Sequence, residues 1–327
     1  MVTIKDVASD ANVAVGTVSK VINGKYVSEK NRIKVEESIK KLGYEINYYA
    51  KGLKTQRTNT IAVIVPEIMN PFFAVWAFYI EQALYKCGYK MILCNTLGTT
   101  KKEQHYFKMA SQNKVDGIIC VSYSDIESYV SERVPIISLD RHFEKKISCI
   151  SSDNYHGGEI AAEKMISTGS HNLLYIRSGS KLPSETMKRE YGFRDYCAKQ
   201  KIPCDVYYLG EEKDEYIKEY ISKFLSENME SGKFKYDGVY ASTDRLALII
   251  LENMKKKEIK VPEDTQVIGH DGLQWLNYDR YLLSTIKQPI KQMAEKSVEL
   301  LRKKIDGEEI DILTILPVEF VDGGTTR

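Results

Sequence analysis

The sequence predicts an α/β protein in which a small three-helix, helix-turn-helix headpiece precedes two successive units of doubly wound sheet. Three observations carry this. Residues 3–23, TIKDVASDANVAVGTVSKVIN, read as two short amphipathic helices about a tight turn. From Thr60 onward, continuous apolar runs alternate with helical periodicity, the pattern of parallel strands covered on both faces. At 327 residues the chain is long enough for two or three compact units.

In the first helix Ile4, Val7, Ala8 and Ala11 share one face, with Thr3 as cap and Asp6 reaching back to it. Asn12-Val13 breaks the period, and asparagine tolerates the left-handed backbone of a tight turn. The second helix runs from about Ala14 to Asn23. It buries Val18, Val21 and Ile22 and exposes Val15, Gly16, Thr17, Ser19 and Lys20. Such a helix fits the major groove of B-DNA, with hydroxyls for phosphates, an apolar group for a thymine methyl and a lysine for guanine. Ser28 caps a third helix with Val35, Ile39 and Leu42 on its apolar face, and Gly43 stops it.

After the polar linker at 54–59, the runs at 61–66, 89–95, 116–122 and 134–140 read as strands. Helices are expected between them at 72–87, 101–113 and 125–132. The second unit has strands at 172–178, 205–210, 236–242 and 265–271, with helices at 157–168, 187–200, 214–228 and 244–256. A last helix is expected at 290–305.

Charge is split along the chain. Residues 1–57 hold eleven Lys and Arg against six Asp and Glu, whereas the remainder holds 36 against 39. A basic head on a mildly acidic body points to nucleic acid at one end only. The six cysteines form no CxxC pair and the five histidines no ligand-spaced pair, which argues for buried reduced thiols and no metal. No GxSxG, HExxH, Walker or GxGxxG pattern is present, so no catalytic residue and no cofactor is assigned. The N-terminus lacks an apolar signal core, and no stretch approaches 18 continuous apolar residues, so a cytoplasmic protein with no membrane partner is expected.

The strings TVSKVING, VSEKNRIKVEESIKKLGYEIN and AKGL closely resemble the headpiece of the lactose-repressor (LacI/GalR) family of transcription regulators. The resemblance extends over the whole chain, because the two units resemble the two-lobed periplasmic-binding-protein-like body of that family. It implies a DNA-binding domain at 1–46 (motif 4–23), a hinge helix and linker at 47–59, and an effector-binding and dimerisation domain at 60–327. Lobe one would comprise about 60–155 and 288–315, and lobe two about 156–287 and 316–327. The DNA-contact candidates are Thr3, Val15, Gly16, Thr17, Ser19, Lys20, Asn23, Tyr44, Asn47, Ala50 and Leu53, with Leu53 matching the leucine that the family wedges into the minor groove. Two departures weaken the hinge helix: Ile46 replaces the family's proline, and Gly52 sits inside it.

Ligands of open α/β sheets sit beyond the carboxyl ends of strands. There the sequence places Phe72 and Phe73 of the NPFF string, Asp140, Thr243, Asp244 and Asp271, and the family's RxxGF motif supplies Arg189. Carboxylates, an arginine and aromatic walls suit a sugar or sugar phosphate. Asp244 doubles as a candidate N-cap of the helix after it. Asp153-Asn154 and Gly157-Gly158 match the family's DNxxGG, read as a lobe connection and tight helix packing, while Trp275 stays open between cleft and dimer face. The resemblance thus implies a homodimeric repressor on a near-palindromic operator, released by a small carbohydrate. The alternative within the family is a regulator activated by a co-repressor or a protein partner, kept open by Ser242-Thr243-Asp244.

Overall fold

The computed structural model describes residues 2–44, 57–112, 115–127, 129–130, 134–143, 147–210, 214–230, 232–274 and 280–327. The chain divides into two compact units, Met1–Thr58 and Asn59–Arg327.

The first unit holds helices α1 (Ile4–Asp10), α2 (Val15–Ile22) and α3 (Glu29–Leu42). Val7, Ala8, Ala11, Val18 and Val35 form its small core. Asp6 accepts the Thr3 amide and hydroxyl, both at 2.8 Å, closing the first turn as the Thr3–Asp6 spacing predicts. The turn residue Asn12 is left-handed (φ 50°), and Gly43 ends α3 in the same region (φ 60°). A core this small needs polar ties between its helices. Ser38 donates to the Val7 carbonyl (3.2 Å), and Lys41 pairs with Asp10 (2.6 Å).

The second unit contains two six-stranded sheets. Lobe one runs β1 (Thr60–Val65), α4 (Pro71–Lys86), β2 (Lys90–Asn95), α5 (Thr100–Gln112), β3 (Gly117–Cys120), β4 (Ile136–Leu139) and β5 (Ser148–Ser152). Lobe two runs α6 (Asn154–Ser167), β6 (Leu173–Arg177), a 3-10 turn at Glu185–Met187, α7 (Lys188–Gln200), β7 (Cys204–Tyr208) and α8 (Asp214–Glu227). It continues through the hairpin β8 (Met229–Glu230) and β9 (Lys233–Phe234), then β10 (Gly238–Ala241), α9 (Asp244–Lys256), β11 (Gln266–Asp271) and β12 (Thr285–Lys287). The chain crosses back for α10 (Ile290–Ile305) and β13 (Leu313–Leu316), and crosses once more for β14 (Glu319–Val321).

Sheet one has the order β2-β1-β3-β4-β5-β13, all parallel. Sheet two has the order β7-β6-β10-β11-β12-β14, parallel except for β14. Because a covered parallel strand is buried on both faces, β1, β3 and β10 are apolar along nearly their whole length, and β11 is buried throughout although Gln266, His270 and Asp271 are polar. Met293, Ala294 and Leu301 of α10 pack with Trp76, Ile80 and Leu84 of α4, which puts the late helix in lobe one.

Three local expectations are corrected. The described residues of 125–132 make a turn about the Ile126 carbonyl rather than a helix, since only Ile126 and Val130 there repeat on one buried face. Strand β5 was not expected: its three serines hide it from an apolar-run criterion, and its burial comes from lying between β4 and β13. Helix α6 starts at Asn154 rather than 157, because the Asp153 carboxylate accepts the His156 amide (3.0 Å) and the glycine pair is helical.

All six cysteines are free thiols. No described helix is long and apolar enough to cross a membrane, and the described residues hold no cluster of three or more metal-ligating side chains.

Candidate nucleic-acid interface and candidate ligand site

Helix α2 turns Val18 into the headpiece core and leaves Val15, Gly16 and Lys20 exposed, with Thr17 and Ser19 half-buried. Its N-cap is Ala14, which offers no side-chain acceptor. Asn23 spends its side-chain amide on the Ser19 carbonyl (2.7 Å), finishing the helix. Thr3 is exposed but bonded to Asp6, and Tyr44 packs half-buried against the core. The exposed face therefore consists of a methyl-bearing side chain, a bare backbone and one lysine, each presented from a fixed helix. Asn47, Ala50 and Leu53, as well as Trp275, lie outside the described residues.

In the second unit the polar candidates meet around one arginine. Helices α6 and α7 cross in backbone contact: a Cβ on Gly158 would lie 2.2 Å from the Arg189 carbonyl oxygen, and one on Gly192 would lie 1.9 Å from the Tyr155 carbonyl oxygen. Only glycine permits that approach. It seats Arg189, 3% exposed, where its Nε donates to Asn154 Oδ1 and its Nη1 to the Ser242 carbonyl, both at 2.6 Å. Asn154 is itself held by Ser151 Oγ (2.8 Å) and the Ser152 carbonyl (3.0 Å). The DNxxGG and RxxGF strings are thus two halves of one helix crossing.

Asp140 ends β4 in the left-handed region (φ 58°) and accepts the Ser151 hydroxyl at 2.6 Å. Asp271 ends β11, is 4% exposed, and accepts Gln288 Nε2 at 2.9 Å. Burial pushes both carboxyls above their ordinary range, with Arg189 pulling the other way. The neighbouring Asp244 charge raises Asp271 further.

Asp244 is not the cap it was expected to be. Thr243 caps α9, its Oγ1 accepting the Leu246 amide (3.2 Å), because its β-branched hydroxyl already sits at the extended position before the helix. Asp244 is fully buried and accepts the amides of Gly272 (3.0 Å) and Leu273 (2.7 Å) and the Thr285 hydroxyl (2.6 Å). Burial lifts its carboxyl to about 6. Phe72 and Phe73 follow the Asn70 cap of α4, stand edge to face (5.4 Å between centroids), and pack into the lobe-one core.

Other groups at this place were not singled out from sequence. Gln288 accepts the Ser152 hydroxyl (2.8 Å) while donating to Asp271, so one amide ties the two crossing strands together. Glu67 of lobe one pairs with Arg245 of lobe two (2.7 Å), and the Glu185 amide donates to the Asp140 carbonyl (2.8 Å). Tyr123, beyond β3, is 49% exposed, yet its hydroxyl feels the charges of Asp140, Arg189, Asp271 and Glu67; desolvation of that hydroxyl and the surrounding carboxylates raise its pKa. Gln288 lies inside the STIKQPI string, but its partner Ser152 is 136 residues away and no local pattern reveals the pair.

Comparison with known proteins agrees with this architecture. Residues 3–47 match the model for bacterial regulatory proteins of the lacI family, and residues 162–326 match a periplasmic binding protein-like domain. The chain is 36% identical over 323 residues to the sucrose operon repressor of Streptococcus mutans, covering 98% of each. It is 33% identical over 330 residues to the ribose operon repressor of Bacillus subtilis, covering 100% of this chain and 99% of that one. A periplasmic binding protein/LacI transcriptional regulator from Alkaliphilus metalliredigens, solved with D-xylulofuranose, superposes with a TM-score of 0.72 at 29% identity, covering 82% of this chain and 99% of that one.

Proposed function

We propose, from the premise that the chain belongs to the lacI family of bacterial regulatory proteins, that it is a cytoplasmic homodimeric repressor released from its operator by a small carbohydrate. On this reading residues 1–46 enter the major groove through α2, residues 47–59 form the hinge, and residues 60–327 dimerise and bind the effector. Val15 meets a thymine methyl, Lys20 contacts guanine as a point charge, and Thr17 and Ser19 face phosphates.

The observation that carries the reading is the convergence of both lobes on Arg189. Asn154 and Ser242 of lobe two bond one buried guanidinium, Ser151 of lobe one links Asn154 to Asp140, and the carboxyls of Asp140 and Asp271, one from each lobe, feel its charge. A polyol replacing part of this network exchanges interlobe hydrogen bonds for bonds to itself. It thereby favours one lobe angle over another, a coupling that amounts to ~1–3 kcal/mol in proteins of this kind.

The test is Arg189→Ala, assayed by gel shift on an operator selected from random DNA, with and without the sugar that shifts the wild-type protein. Operator affinity should persist and the sugar response should vanish. A folded variant that no longer binds operator would show that Arg189 serves the lobe interface instead.

A further inference from the structure

We propose that the cleft between the lobes selects neutral polyols and rejects their phosphate esters. This rests on the carbohydrate reading above and narrows its ligand class.

The charges around the site are unequal. Asp140, Asp244 and Asp271 all act on Arg189, and Tyr123 also senses Glu67 there. Against the three aspartates stands one guanidinium, and two of its nitrogens already donate to Asn154 and Ser242. The other cations described near these strand ends are engaged by acceptors of their own. Arg245 holds Glu67 (2.7 Å), Lys188 holds Glu185 (2.8 Å), Arg177 holds Glu190 (3.3 Å), and Arg141 donates to the Ser122 and Ser124 carbonyls.

Helix N-termini are the other common phosphate seats, because their free amides and dipoles attract anions. Three of them, at α4, α6 and α9, are filled from within the chain, whereas α7 and α10 carry no side-chain cap. The Asn70 side chain accepts at the start of α4, and Asp153 does so at the start of α6. At α9, Thr243 accepts the Leu246 amide and the Asp271 carboxylate lies 3.4 Å from the Asp244 amide. At these three ends the field a phosphate would use is thus already answered by side-chain acceptors, two of them carboxylates.

Hydroxyl groups meet the opposite situation. An ionised carboxylate accepts about four hydrogen bonds. Asp140 and Asp271 therefore keep capacity for sugar hydroxyls, and charge-assisted bonds of that kind are strong. Burial has raised both carboxyls, so donors that stabilise their charge are welcome there. A phosphate ester brings ~1.5–2 further negative charges into a site where three buried carboxyl groups already face one guanidinium.

The experiment is isothermal titration of the full-length protein at pH 7.5 with matched pairs: D-ribose and ribose 5-phosphate, sucrose and sucrose 6-phosphate, D-glucose and glucose 6-phosphate. The sugar that binds should do so at least ~100-fold more tightly than its phosphate ester, since unrelieved like-charge contact is costly. An ester that binds as well as, or better than, its parent sugar would overturn the proposal. Absence of binding by every sugar and ester would remove the carbohydrate reading together with it. Asp271→Asn and, independently, Asp140→Asn should each narrow the ratio about tenfold by deleting one negative charge. A ratio unchanged in both folded variants would mean that exclusion is steric, which also overturns the electrostatic argument.

Discussion

Gly192→Ala puts the most weight on the helix crossing that seats Arg189. The new Cβ would stand 1.9 Å from the Tyr155 carbonyl oxygen and 2.8 Å from its carbon, where ordinary contact begins at 3.4 Å. The obstacle is backbone, not the tip of a flexible side chain, so α6 and α7 must part by about 1.5 Å. Overpacking of this kind costs ~1–3 kcal/mol. Parting also stretches the 2.6 Å bond from Arg189 Nε to Asn154, and a hydrogen bond to a charged group is worth ~1.5–3 kcal/mol. The alanine recovers up to ~1 kcal/mol in helix propensity. The net expectation is a loss of ~2–5 kcal/mol, a fall in Tm of ~5–15 °C for a domain of this size. Gly16→Ala is the internal control, because nothing lies within 4 Å of its Cβ; it should leave headpiece stability unchanged or raise it by up to ~1 kcal/mol. Differential scanning calorimetry and urea titration read both variants. A Gly192→Ala protein melting within 2 °C of wild type would refute the backbone-contact account of how Arg189 is held.

Two further outcomes follow from the same geometry. Lys20→Ala should cost ~1–3 kcal/mol per operator half-site and relax preference at one base position, read by binding to single-base operator variants; an equal loss on every sequence would make Lys20 a phosphate contact. The carboxyl of Asp244 is raised from 3.8 to about 6 in the fold, so its charge is a burden above that pH and the burden lifts as the group takes a proton. The stability gap, taken as wild type minus Asp244→Asn, should therefore become more positive as pH falls from 7.5 toward 4, by up to ~3 kcal/mol. Denaturant titrations across that window check this, and a gap that stays flat or becomes more negative on acidification would contradict it.

Much of the fold could be read from short-range pattern. The period of Ile4, Val7, Ala8 and Ala11, the Thr3–Asp6 pair and the stop at Gly43 specify α1 to α3, because an apolar stripe and its caps act within a few residues. The alternation of apolar runs with amphipathic segments likewise marks a covered parallel sheet before any strand is paired. Local pattern also places Asp140, Asp271 and Thr243 at strand ends, where such sheets gather polar groups.

Tertiary structure decided the rest. Strand β5 has no apolar run, and it exists because β4 and β13 satisfy its backbone. Asp244 looks like a cap in sequence; in the fold its carboxylate faces the amides of Gly272 and Leu273, and Thr243 takes the capping role. The network around Arg189 is assembled from Asp140, Asn154, Ser242 and Asp271, and Gln288 closes it onto Ser152 across 136 residues. A hydrogen bond leaves no period in the chain, so partners at that separation become visible only when the fold brings the end of β5 and the segment after β12 together.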